Sequence, residues 1–137
     1  MKKLLAPLAL AVSLALTGCG AVASTPTGPA DLTGDWKQSN SASADAYQQA
    51  TITSDEITVE WVANGGDTTS IYWVGTFDAP TDASEPYTWT SKRDAAATDS
   101  ALLASQSDTK EFTYAGGAIS YEVTALGTTT KVNLKKK

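Results

Sequence analysis

From Leu32 onward, apolar and polar residues alternate in short runs separated by turn-forming residues. A repeat of two residues suits half-buried strands and excludes an amphipathic helix as the building unit. Trp36 stands in a short strand opened by Thr33-Gly34. Ala50 and Ile52 alternate with polar neighbours, and Ile57, Val59 and Trp61 continue the pattern after a break at Ser54-Asp55. Asn64-Gly65-Gly66-Asp67 collects residues that accept positive φ, so it predicts a hairpin turn. Over Ser70–Phe77, Ile71, Trp73 and Phe77 fall on one face and Tyr72, Val74 and Thr76 on the other. That strand is expected to be covered on both sides, or to meet a partner with its outer face.

Pro80, Asp82, Ser84 and Pro86 mark a loop, after which Tyr87, Trp89 and Ser91 alternate with Thr88 and Thr90. Residues 95 to 107 read as a loop with one helical turn, capped by Thr98 or Asp99 and carrying Leu102 and Leu103. Three further strands follow, carrying Phe112 and Tyr114, then Ile119, Tyr121 and Val123, then Thr130, Val132 and Leu134. Gly116-Gly117 and Gly127 turn the chain between them. The sum is an all-β domain of about seven or eight strands over residues 32–137. Short links between sequence neighbours favour a small antiparallel up-and-down barrel, which closes its own edges. The alternative is a two-sheet β-sandwich.

The first residues obey different rules. Met1-Lys2-Lys3 is basic, and Leu4–Leu16 is an apolar run of about 13 residues broken only by Pro7 and Ser13. A spanning helix needs roughly 20 residues, so this is a signal peptide over 1–18 rather than a membrane span. Leu16-Thr17-Gly18-Cys19 closes it and holds the only cysteine. These four residues resemble the bacterial lipobox. The resemblance implies cleavage between Gly18 and Cys19, a diacylglyceryl thioether on Cys19 with acyl chains such as palmitate, and a home on the extracytoplasmic side of the cell membrane. Two or more acyl chains hold a protein durably on a bilayer. Residues 20 to 31 are small, polar and punctuated by Pro26, Gly28 and Pro29, the composition of a flexible tether. Fully extended, they would reach about 35 Å.

Cleavage would remove Lys2 and Lys3 and leave 8 basic against 15 acidic residues, a formal charge of −7. Such a surface excludes a nucleic-acid partner, whose phosphates need basic patches. With Cys19 modified, no disulfide is available, and packing alone must hold the fold. The chain contains no histidine, which removes the commonest general base and metal ligand. No enzymatic activity, cofactor or metal is expected. Asp55-Glu56 and the pair Asp31 and Asp35 leave a hydrolase using carboxylates alone as a minor alternative, but acidic residues are ordinary in turns. Asn64 and Asp67 have the flavour of a calcium loop without its terminal glutamate.

Leu32-Thr33-Gly34-Asp35-Trp36 resembles the Gly-x-Trp signature opening the first strand of lipocalins and related calycin barrels. The resemblance implies that Trp36 closes one end of a barrel. More broadly, the chain is similar to small lipoproteins of high-GC Gram-positive bacteria and their phages. The expected function is an envelope-anchored, monomeric binding module for a surface protein or a small apolar ligand. A ligand carrier of the lipocalin type is the alternative, and in a prophage the specific role would be exclusion of competing phage. Most aromatic residues should be core in so small a barrel. Tyr72, Trp73 and Trp89 are the candidate contacts for a partner or ligand, with Tyr72 expected on the outer face.

Overall fold

The computed structural model describes residues 28–137. Cys19, the expected signal peptide and most of the expected tether lie outside the described residues. Eight antiparallel strands form one sheet: β1 Gly34–Gln38, β2 Tyr47–Ile52, β3 Glu56–Ala63, β4 Thr68–Thr76, β5 Tyr87–Lys92, β6 Thr109–Ala115, β7 Ala118–Ala125 and β8 Thr128–Lys136. Their order is β4-β3-β2-β1-β8-β7-β6-β5, so every neighbour in the sheet is a neighbour in sequence except β1 and β8, which pair to join the two halves. The architecture is a nearly closed up-and-down barrel, as the alternation and short turns predict, and not a sandwich.

The remaining seam lies between β4 and β5. It is bridged by the pair Gly75–Arg93, by Asp94 N–H donating to Val74 O at 2.8 Å, and by Trp73 Nε1 donating to Ser91 Oγ at 2.9 Å. Close approach there needs glycine. A Cβ on Gly75 would lie 2.6 Å from both Lys92 O and Trp73 Nε1, and nearer still to Ser91 Oγ. Outside the seam, helix α1 (Ala95–Thr98) packs against β4, where Val74 is buried. Its cap is Asp94, whose carboxylate accepts the Ala97 N–H, rather than Thr98 or Asp99. The helix therefore ends before Leu102 and Leu103, which are exposed. Asp94 wins because its extended backbone leaves its carboxylate aimed at the first turn, whereas Thr98 is buried and donates back to Asp94 O.

The hairpin at Asn64–Gly66 forms as expected, with φ of 54° at Asn64, 65° at Gly65 and 110° at Gly66. One register detail departs from simple alternation. Val59 pairs with Trp73, but Glu60 pairs with Ile71, so Tyr72 is an extra residue in β4. This bulge turns Tyr72 inward beside Trp73 and moves Ile71 out of phase with both. The expected outer-face Tyr72 is thus corrected: its side chain is part of the core and 4% exposed.

The strand turns put two sets of loops at opposite ends. At the entry end are Leu32, the 53–55 turn, the 77–86 loop, Gly116-Gly117 and the C-terminus. At the far end are residues 39–46, the Asn64–Gly66 turn, the 93–108 connection and Leu126-Gly127. Trp36 is buried at the entry end, donates from Nε1 to Leu32 O at 2.9 Å, and meets Tyr114 edge-on. Lys136 Nζ sits 5.9 Å from the Trp36 ring centroid and donates to Asp31 O at 2.9 Å.

Candidate functional site

Inward positions of the strands build one aromatic column through the barrel. From the far end, Trp61 meets Tyr72 at 5.5 Å between ring centroids, Tyr72 stacks on Tyr121 at 6.5 Å, and Tyr121 meets Phe112 at 5.0 Å. Phe112 stacks on Trp89 at 5.2 Å, and Trp89 in turn meets Tyr87 and Phe77. Offset-stacked and edge-to-face rings at these separations add to the burial of their area. Trp73 and Phe112 are wholly buried, and Trp89 is 4% exposed. The three candidate contacts Tyr72, Trp73 and Trp89 are therefore brought together inside the barrel. None offers its ring to a protein outside.

Near the far end the column becomes polar. Gln48 is wholly buried and accepts the Tyr121 hydroxyl through Oε1, while its Nε2 has no partner among the described residues. Lys110 pairs in register with the buried Ser91 and so points to the inner face of the wall. Its ammonium lies 5.1 Å from the Tyr72 ring centroid and 5.6 Å from that of Trp73, both within cation–π reach. Burial holds the Lys110 pKa below the usual lysine range, against the opposing pull of Glu122. Lys110 is not among the candidate contacts read from the sequence, and its only local sign there is its phase. It occupies an inward position of β6 that would be read as apolar, and a lysine there signals that the wall is open nearby.

The wall is open between β6 and β7. Their ladder holds only at Thr113–Ser120, Tyr114–Ile119 and Ala115–Ala118, although both strands continue toward the far end. Thr109–Phe112 and Tyr121–Ala125 face each other without pairing. Lys110 Nζ spans the split and donates to Glu122 O at 3.1 Å. A groove of about 470 Å³ follows the split, lined by Lys110, Tyr121, Glu122, Thr124 and Lys131 among others. A second lobe of about 420 Å³ adjoins it under the 104–107 loop and shares Lys110, Glu122 and Thr124. The loop is pinned by Ser105 N–H donating to Tyr72 O at 2.8 Å and by Trp61 Nε1 donating to Leu103 O at 3.2 Å. Leu102, Leu103 and Leu126 are exposed around this end. Leu126 also holds a φ of 53°, a conformation that leucine adopts reluctantly and that no packing contact rewards here.

The acidic pairs serve local structure. Asp31 accepts from Thr33 N–H at 3.0 Å and from the Thr33 hydroxyl, which lowers its pKa, and Asp35 accepts from Thr51 Oγ1 at 3.0 Å. Asp55 O accepts Phe77 N–H in the turn before β3. At the hairpin, Asn64 Nδ2 donates to Thr68 Oγ1 at 3.2 Å.

Burial of the tyrosines has a pH consequence. Burial raises the Tyr72 pKa to about 12, partly offset by a hydrogen bond with Ser105, and burial pushes Tyr121 well above its ordinary value. An unfolded tyrosine ionises near pH 10. Above that pH the unfolded state sheds protons that the folded state keeps, so stability falls as pH rises from about 10 to 12. Urea midpoints measured across that window should decline, and Tyr72→Phe should make the decline shallower.

Comparison with known protein families, curated proteins and solved structures finds no match to this chain.

Proposed function

We propose that this chain is a lipid-anchored, extracytoplasmic binding module without enzymatic activity, and that it engages another protein at the cell surface through its exterior. The observation that carries this reading is the continuous column of Trp61, Tyr72, Tyr121, Phe112 and Trp89, which occupies the barrel interior where a carrier would hold its ligand. The lipobox-like Leu16-Thr17-Gly18-Cys19 supports the address. Geometry adds a direction: the chain enters at the end marked by Gly28, Leu32 and Trp36, so a membrane tether would leave the far end, with its open groove and exposed leucines, pointing outward. The lipocalin likeness of Gly34-Asp35-Trp36 belongs to the same proposal as an account of the shape, not of a carried ligand.

Fractionation tests the anchor. Wild-type protein is expected in the membrane fraction with acyl mass on Cys19, and Cys19→Ser should move nearly all of it to the soluble extracytoplasmic fraction. Retention of Cys19→Ser on membranes would contradict the proposal.

A further inference from the structure

We propose that the split between β6 and β7 is a docking groove for an extended peptide segment of the partner, and that Lys110 receives a carboxylate from that segment. The proposal rests on the binding-module reading above and names the site that would serve it.

Three observations lead to it. First, two strands that run on side by side stop pairing after Thr113–Ser120, so their ladder leaves main-chain groups there unpaired, Glu122 O excepted, which accepts from Lys110 Nζ. Open strand edges are the usual template for an added strand, with main-chain hydrogen bonds giving affinity and side-chain positions giving specificity. Second, the groove is floored rather than hollow. Phe112 and Tyr121 meet at 5.0 Å beneath it, so an occupant lies along the wall and does not enter the core. Third, Lys110 Nζ is half-buried on the groove floor, and the described residues supply one hydrogen-bond acceptor, Glu122 O, to its three donors. The rim carries Glu111, Glu122 and Lys131, so the deepest charge facing an occupant is a cation with donors to spare. A carboxylate reaching Lys110 would form a charge-assisted hydrogen bond in a partly desolvated site. The domain is otherwise acidic, so one carboxylate at one inward position fits better than an acidic run. Leu103 and Leu126 are exposed at the same end of the barrel and line neither lobe of the groove.

The test uses the mature chain carrying Cys19→Ser, labelled with ¹⁵N, and the peptide acetyl-Val-Thr-Glu-Thr-Val-amide. Saturable amide shifts are expected at 104–112 and 121–125, with a dissociation constant of about 1 mM or tighter. The glutamine counterpart of the peptide should bind about fivefold more weakly, and Lys110→Met should remove that preference. Methylating alternate peptide nitrogens should abolish binding by removing the main-chain donors. The absence of saturable shifts, shifts confined to another surface, or equal binding of the glutamate and glutamine peptides would overturn the groove. Comparing the two peptides on the unaltered domain keeps the test valid if Lys110→Met fails to fold. Shifts on another surface would leave the binding-module reading standing, so the two proposals fail separately.

Discussion

Phe112→Ala is expected to lower the unfolding free energy of the domain by about 4 kcal/mol. Phe112 is wholly buried, stacked on Trp89 and tilted against Tyr121, and it joins the apolar and polar halves of the aromatic column. Truncation loses the transfer energy of the ring and leaves a cavity between two large rings carried by different strands. Those rings have little freedom to collapse into it, because Tyr121 is held by Gln48 and Trp89 is packed against Phe77 and Tyr87. A domain of this size commonly holds about 5–15 kcal/mol, so the variant should remain folded but marginal. Urea unfolding should show a lower midpoint with an unchanged slope. A loss below about 1 kcal/mol would mean that the interior is not packed as described.

Gly75→Ala should cost about 3 kcal/mol by the opposite route, overpacking. The added methyl would fall inside contact distance of Lys92 O, Trp73 Nε1 and Ser91 Oγ, the atoms that draw β5 against β4. Relief requires the seam to open, which would separate the Gly75–Arg93 bridge and take the Trp73 indole N–H from Ser91. That donor is wholly buried, and an unmet buried donor carries its own penalty. Gly28→Ala is the control, since a Cβ there meets nothing within 4 Å. Amide exchange should rise at Tyr72–Thr76 and Tyr87–Arg93 in Gly75→Ala and stay unchanged in Gly28→Ala. Equal stability of the two variants would show that the β4–β5 seam is not closed by contact.

Much of the barrel was legible because its signals are local. Alternation around Ile57, Trp89, Ile119 and Leu134 fixed which residues face inward, and Asn64-Gly65-Gly66 and Gly116-Gly117 could hardly be anything but turns. What stayed hidden depends on pairing between distant strands. The bulge at Tyr72 is a mismatch of count between β3 and β4, and neither strand shows it alone. The same limit hid the split, where β6 and β7 both carry good alternating sequences but diverge after Thr113–Ser120. Lys110 was the one local clue, a charge at an inward phase of an apolar–polar pattern. The cap at Asp94 was missed because the Ala95–Ala97 run gives the helix no apolar stripe to locate its first turn.

The central claim, a barrel filled by its own aromatic side chains, is tested most directly by titrating residues 19–137 carrying Cys19→Ser with a long-chain fatty acid while following tryptophan fluorescence. The account predicts no saturable change, because Trp73 and Trp89 already lie against other side chains at near-zero exposure. One-to-one binding with a dissociation constant of about 1 μM, accompanied by quenching of the buried tryptophans, would contradict it and make the protein a carrier.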